Sequence, residues 1–181
     1  MYHDDIIPYL RDGNPDLTNL ATLYKQGELG MRFSAKGGKS RYHRVKLDSG
    51  ATASTPIGAV AANQLAYWKD KATYLVTNDR RFAMNTTLAN NGYRNYVAGV
   101  FRIAATAGYY TDILTRGTSI PVADGGNTFV AGDVAVGEAD AAAAVDSVNA
   151  GTAPTCIPVG IARGAASGGN VNLDVDLPEV E

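Results

Sequence analysis

The sequence is poor in the residues that usually build metal and disulfide sites. It contains one cysteine, Cys156, and two histidines, His3 and His43, in 181 residues. A single cysteine excludes an intrachain disulfide and is typical of a chain kept in a reducing compartment. The histidines lie far apart, and neither has a cysteine or a second histidine at ligand spacing. We therefore expect neither a metal nor a cofactor.

Long apolar runs are also lacking. No stretch approaches the roughly 18 apolar residues that a membrane helix needs. The segment Met1–Asp5 is acidic and lacks the basic and apolar regions of a signal peptide. We expect a protein that is made in a cytoplasm and has no membrane partner.

Complete motifs for phosphate binding and for thiol catalysis are missing. Gly37-Gly38-Lys39-Ser40 resembles the end of a phosphate-binding loop, but Phe33 occupies the position where the pattern requires its first glycine. Cys156 lies between Pro154 and Pro158 with no basic neighbour to activate its thiol. These departures argue against nucleotide binding and predict that Cys156 is a packed side chain.

One short segment indicates a catalytic alternative. Asp48-Ser49-Gly50-Ala51-Thr52 resembles the active-site segment of retroviral-type aspartic proteases, in which two chains each supply one aspartate. The resemblance would make Asp48 the catalytic acid/base of a homodimer. However, Lys46 stands where those enzymes place an apolar residue, and Val97-Ala98-Gly99 only loosely replaces their second conserved element. We expect no enzyme, with this protease as the alternative.

The charges present are unevenly distributed. Up to Arg116 there are fifteen Lys and Arg against nine Asp and Glu, whereas from Gly117 onward nine acids accompany only Arg163. A basic run surrounds Tyr42 and consists of Lys36, Lys39, Arg41, Arg44 and Lys46. If this run is a strand, Arg44 and Lys46 share a face with Tyr42. That stripe would suit a phosphate backbone, an acidic protein partner or a solvated edge strand.

The order of patterns predicts a mainly β protein with one short helix near the N-terminus. Asn14 and Pro15 are typical of a helix start, and Gly27 of its end. Turn clusters then separate short strands, which we place at Tyr42–Leu47, Thr73–Thr77, Tyr96–Ile103, Tyr109–Thr115, Ser119–Val122, Thr128–Ala131, Val134–Val136 and Val171–Leu177. Ala59–Trp68 and Glu138–Val148 are candidate helices, although the second also fits a loop with a strand.

One segment occurs twice. At a constant offset of 61 residues, Ala98–Gly108 matches Val159–Gly169 at glycine, arginine and alanine positions. Each copy precedes a strand, so we interpret the repeat as a hairpin with a turn of small residues. Chance similarity in a chain rich in alanine and glycine is the alternative explanation.

The C-terminal third resembles a known family. The elements that carry the resemblance are Phe129–Val134, Pro158–Ala162, Gly168-Gly169-Asn170 and the alternating strand Val171–Leu177. In this order they resemble the small capsid decoration, or cement, proteins of tailed bacteriophages. The resemblance covers roughly residues 118–177. It implies a compact β-barrel or sandwich-like domain that is added to an assembled icosahedral shell.

The resulting domain hypothesis has three parts: an extended arm and short helix at 1–30, a first β-rich region at 31–117, and a second, decoration-like region at 118–181. The two β-rich regions are either separate or one continuous domain. The implied role is a structural protein that bridges major capsid protein subunits on the capsid surface, after synthesis in the bacterial cytoplasm.

The resemblance implies that the partners are the major capsid protein and further copies of the chain, as a homotrimer or homodimer. We do not expect nucleic acid to be a partner. Other virion roles (a head-fibre base, a tail or a connector protein) are the alternatives. The residues expected to contact the capsid or another partner are Tyr2, Ile6, Ile7, Tyr9, Leu10, Arg41 and Arg44.

Overall fold

The computed structural model describes residues 32–35, 39–48, 60–78, 97–137, 143–148 and 158–177. The arm and short helix expected at 1–30 lie outside the described residues. So do five expected contact residues, Tyr2, Ile6, Ile7, Tyr9 and Leu10. Within the described part the fold is mainly β and has no helix, which confirms the predicted fold class there.

Ten strands belong to one hydrogen-bonded sheet. They are β1 (Arg32–Ala35), β2 (Ser40–Leu47), β3 (Leu65–Asp70), β4 (Leu75–Thr77), β5 (Val97–Phe101), β6 (Tyr110–Ala123), β7 (Val134–Gly137), β8 (Val145–Val148), β9 (Gly160–Ala162) and β10 (Asn170–Asp176). Their order in the sheet is β1-β2-β4-β3-β5-β6-β10-β9-β7-β8.

Five of these strands close into a barrel, because β2 also pairs with the first half of β6. The ring runs β2-β4-β3-β5-β6 and is antiparallel except for the parallel pair β2–β4. Its interior holds an apolar cluster that includes Val45, Trp68, Val76, Phe101 and Ile113. We call this five-stranded barrel unit 1, and it includes only the first half of β6.

The second half of β6 begins another ring of the same order. It pairs with β10, which is followed by β9, β7 and β8. A parallel bridge from Asp124, just after β6, to Val145 in β8 returns to the starting strand. We call this ring unit 2. The 14-residue strand β6 is therefore shared by both units.

The two units have the same strand registers. In unit 1 the paired residues of β3 and β5 are Leu65–Val100 and Ala66–Gly99. In unit 2 those of β7 and β9 are Val134–Ile161 and Ala135–Gly160. Within each strand the residue numbers differ by a constant offset, which is 69 between β3 and β7 and 61 between β5 and β9. The other strand pairs correspond in the same way, so unit 2 repeats unit 1.

The turn before the β3–β5 pair repeats down to single hydrogen bonds. In unit 1 the N–H of Ala61 donates to Gln64 Oε1 at 3.1 Å, and in unit 2 the N–H of Val130 donates to Asp133 Oδ2 at 2.9 Å. Positive φ also recurs, at 71° for Asn63 and 95° for Gly132. A shared fold class would not require this agreement, and it supports a duplication of the whole unit.

The hairpin predicted from the sequence repeat is confirmed in both copies: β5–β6 and β9–β10 are antiparallel neighbours. The turns also correspond. Tyr109 N–H donates to Thr106 O, and Asn170 N–H donates to Ser167 O. The residues before the two donors, Gly108 and Gly169, both have positive φ, 83° and 74°. Glycine meets that requirement without steric cost.

Two local predictions were wrong. Ala59–Trp68 was a candidate helix, but Leu65–Asp70 is strand β3. Its first four residues are all buried, so the strand lacks the alternation that identifies a half-buried strand in sequence. Thr128–Ala131 was expected to be a strand and instead lies in the connection before β7. Of the second helix candidate, Val145–Val148 is a strand.

The units pack through the outside of unit 1. Leu65, Tyr67, Val100 and Leu114 point away from the interior of unit 1 and belong to one buried cluster with the core of unit 2, including Phe129 and Leu173. The Leu65 N–H donates to Ala143 O, 2.7 Å away. The apolar core is therefore continuous across the junction.

Gly160 tests the close approach of β9 to β10. A methyl group at Gly160 would overlap the carbonyl oxygen of Asp174, which belongs to the paired backbone. Gly160→Ala should lower the free energy of unfolding by about 3 kcal/mol, measured by chemical denaturation. The matched variant Gly164→Ala meets no atom within 4 Å and should change it by less than about 0.5 kcal/mol. Equal effects of the two variants would contradict this packing.

Candidate contact surfaces

Arg44, expected to contact a partner, is 1% exposed in the structure. Its guanidinium forms a two-pronged ion pair with Asp112 on the neighbouring strand, Nε to Oδ1 at 2.9 Å and Nη2 to Oδ2 at 3.2 Å. The two residues are directly paired between β2 and β6. The bidentate geometry compensates part of the cost of removing both charges from water. Arg44, which was predicted to belong to a basic stripe, is therefore not on the surface but in a buried ion pair.

Tyr42 and Arg102 extend this polar region toward unit 2. Burial raises the pKa of the Tyr42 phenol, and the nearby Arg102 charge partly offsets that rise. Burial also lowers the pKa of Arg102. The Arg102 guanidinium donates to Asn63 Oδ1 at 3.1 Å and to Pro121 O at 3.2 Å. Because Pro121 belongs to the second half of β6, this arginine joins the two units.

Exposed basic residues remain at the start of β2. Arg41, the other expected contact residue on this strand, is exposed, and Lys39 just before the strand is exposed as well. Arg41 lies directly opposite Arg116 of β6, which is also exposed. Like charges at paired positions are unfavourable unless an anionic group lies nearby, and Asp176 is 3.6 Å from Arg116. We call Lys39, Arg41 and Arg116 the basic corner.

Asp48, the residue of the protease alternative, is buried at the end of β2. Its carboxylate accepts a hydrogen bond from Lys69 Nζ at 2.5 Å, and its own N–H donates to Val76 O at 2.8 Å. An aspartic dyad needs a second carboxylate at that oxygen, whereas here it faces an ammonium group. Ser49 and Gly50 lie outside the described residues.

His43 lies inside the unit 1 barrel. Its ring makes edge contacts with Trp68 and Tyr74, with ring centroids 5.4 Å apart in both cases. No group of three or more potential metal ligands occurs among the described residues. Within the same residues no helix is long and apolar enough to cross a membrane. Cys156 and Gly37-Gly38 are outside the described residues.

An exposed ion pair links Arg163, just after β9, to Asp174 within β10. Arg163 Nε lies 2.6 Å from Asp174 Oδ1, which also accepts a bond from the Ser119 N–H. The hydrogen bond from Arg163 is the main cause of the lowered pKa of Asp174. The same bond raises the pKa of Arg163. Both side chains are about half exposed, so solvent screens the pair.

A second kind of surface is apolar. Val130 is 58% exposed and Ile161 is 45% exposed, and they are the exposed large hydrophobic residues of the described part. Val130 begins a turn whose last residue, Asp133, accepts a hydrogen bond from the N–H of Ala162, next to Ile161. The turn that begins at Val130 and strand β9 are therefore neighbours in unit 2. Sequence reasoning missed this surface, although the repeat does align Ile161 with Val100.

Comparison with solved structures finds a likeness to a bacteriophage protein. No family model matches the chain, and no curated protein matches it. The N-terminal base of head fibre gp8.5 of bacteriophage phi29 aligns over 77% of this chain and 97% of that chain, with 13% identity and a TM-score of 0.45. At this identity and score the likeness carries no argument about fold or function.

The buried ion pair is testable by removing one partner. Asp112→Ala leaves the Arg44 charge buried without its carboxylate and should lower the free energy of unfolding by about 3–5 kcal/mol in chemical denaturation. The double variant Arg44→Leu/Asp112→Leu should recover much of that loss, because neither charge is then buried. Asp176→Ala, which removes the exposed partner of Arg116, should cost less than about 1 kcal/mol. The assignment is wrong if Asp112→Ala costs no more than Asp176→Ala.

Proposed function

We propose that the chain is a structural protein of a tailed-phage virion that binds the outside of the assembled capsid and bridges major capsid protein subunits. The proposal is supported by the position of the residues that resemble the decoration proteins. Gly132-Asp133 immediately precede β7, Gly160–Ala162 is β9, and Gly168-Gly169 form the turn before β10. These adjoining strands form the compact β-unit that the resemblance to decoration proteins implies.

The chemistry of the described side chains supports a binding role. The charged groups that sequence reasoning considered for other chemistry have structural partners: Arg44 holds Asp112, and Lys69 holds Asp48. The first pair joins the neighbouring strands β2 and β6, and the second joins the end of β2 to β3 across the intervening strand β4. Such pairs fix the strands of a rigid scaffold, which is what a shell-stabilising protein needs.

The basic corner is the contact surface that we propose for the capsid. Its three cations are exposed in unit 1, and a cluster of exposed positive charge favours an acidic partner. Single contacts of this kind are weak and sensitive to salt. Many symmetric copies on one shell raise the avidity without strengthening any single contact.

Co-sedimentation with pre-formed, expanded capsids of the same phage tests this function. The protein should bind saturably and raise the melting temperature of the shell. Arg41→Glu should weaken binding by about tenfold or more at low salt, because it replaces an attraction with a repulsion. Lys71→Glu, a matched charge reversal in the β3–β4 turn, should bind almost as well as the unchanged protein. A protein that does not bind such shells is not a decoration protein.

Other virion positions and the protease give different results in the same assays. A tail or a connector protein would be found in virions but would occupy few sites per particle, whereas a decoration protein saturates many. The protease alternative requires a pepstatin-sensitive cleavage activity that Asp48→Asn abolishes. Asp48→Asn should instead leave capsid binding unchanged, since Asp48 is buried away from the basic corner.

A further inference from the structure

We propose that the interior of the unit 1 barrel is a binding site for one internal water molecule, held by the side chains of Trp68 and Thr111. Both side chains are buried, and each residue is 2% exposed. Among the described residues, neither Trp68 Nε1 nor Thr111 Oγ1 has a hydrogen-bond partner. The proposal concerns the isolated protein and does not depend on capsid binding.

The strand registers bring the two polar groups to the same level of the barrel. On β2, Val45 lies between two other inward residues, His43 and Leu47, and Thr111 of β6 is paired with Val45. Trp68 of β3 is in register with Leu47 through the intervening strand β4. Its ring nevertheless reaches His43, with 5.4 Å between the ring centroids. The indole therefore spans the level at which the Thr111 hydroxyl enters the barrel.

The chemistry of the two groups matches a water molecule. An indole N–H can only donate a hydrogen bond, whereas a threonine hydroxyl both donates and accepts. A water that accepts from Trp68 Nε1 can donate to Thr111 Oγ1, which satisfies both groups. Buried polar groups cost free energy when they are left unpaired, and internal waters commonly provide the missing bonds. The imidazole of His43 adjoins the indole and adds ring nitrogens to the wall of the site.

The width of the barrel limits the size of the ligand. A barrel of about eight strands has an interior just wide enough for side chains to fill, and unit 1 closes with five strands. Trp68, Phe101 and Ile113 already contribute large side chains to this interior. A site between them suits a molecule as small as water, whereas an organic ligand would have to displace these side chains.

Unit 2 shows that the fold does not require polar groups at these positions. The matched registers give the counterparts in unit 2, which are apolar: Val171 for Thr111, Ile120 for His43 and Gly137 for Trp68. The same ring of strands therefore closes around an interior without hydrogen-bonding side chains at the three places. The polar groups are a particular feature of unit 1, and the water site belongs to unit 1 alone.

A high-resolution crystal structure of the unchanged protein tests the site directly. Ordered density for one water should lie within about 3.2 Å of both Trp68 Nε1 and Thr111 Oγ1. The proposal is overturned if no water contacts Trp68 Nε1, or if that nitrogen donates to a protein group instead. Because the crystals need no capsids, loss of the capsid function would leave this test unaffected.

The same site can be followed in solution, because Trp68 is the one tryptophan of the sequence. Its indole proton should show a nuclear Overhauser effect to a long-lived water. Thr111→Val removes the hydroxyl, as in unit 2, and should abolish both this signal and the water density. Thr118→Val makes the same change at an exposed position of β6 and should leave both unchanged.

The variants also define the results that contradict the site. Water density at Trp68 that persists in Thr111→Val would show that Thr111 does not hold the molecule. Equal loss of the signal in Thr118→Val would show that the site is not where we place it. If circular dichroism shows that Thr111→Val does not fold, Thr111→Ser, which keeps the hydroxyl, should retain the water, and its loss there overturns the assignment.

Discussion

The structure depends on one shared strand. The first half of β6 closes the unit 1 barrel against β2, and its second half starts unit 2 against β10. The change of partners falls near Gly117, where a methyl group would meet the Ile120 side chain at 2.9 Å. The register of each unit is therefore fixed by the same backbone, and an error in β6 would displace both cores.

Equivalent positions of the two units carry different types of residue where their burial differs. The cross-strand pair Arg44–Asp112 of unit 1 corresponds to Pro121–Asn172 of unit 2, with offsets of 77 and 60 residues. The unit 1 pair is buried and ionic, whereas Asn172 is exposed and uncharged. The fold tolerates both because these side chains point out of each ring. Their surroundings, and not the strand pattern, determine which residue types are stable there.

Much of the fold was predictable where a single sequence pattern determined the local structure. The alternation in Val171–Leu177 identified β10, and the repeat of small residues identified two hairpins. The full duplication was not visible, because differences in loop length shift the offset from 77 to 69, 61 and 60 along the chain. Arg44 was assigned to the surface because its charge suggests solvent, and only the paired strand shows that Asp112 compensates it. Burial of β3 on both faces removed the periodicity that would have distinguished it from a helix.

The shared strand also has a mechanical consequence. A force that separates the two units pulls along β6, parallel to the strand axis. The ladder to β2 and the ladder to β10 follow one another along that axis. Their hydrogen bonds must then shear together, since a load along a strand cannot open them one at a time. The junction between the units therefore resists a load along β6 through many hydrogen bonds at once.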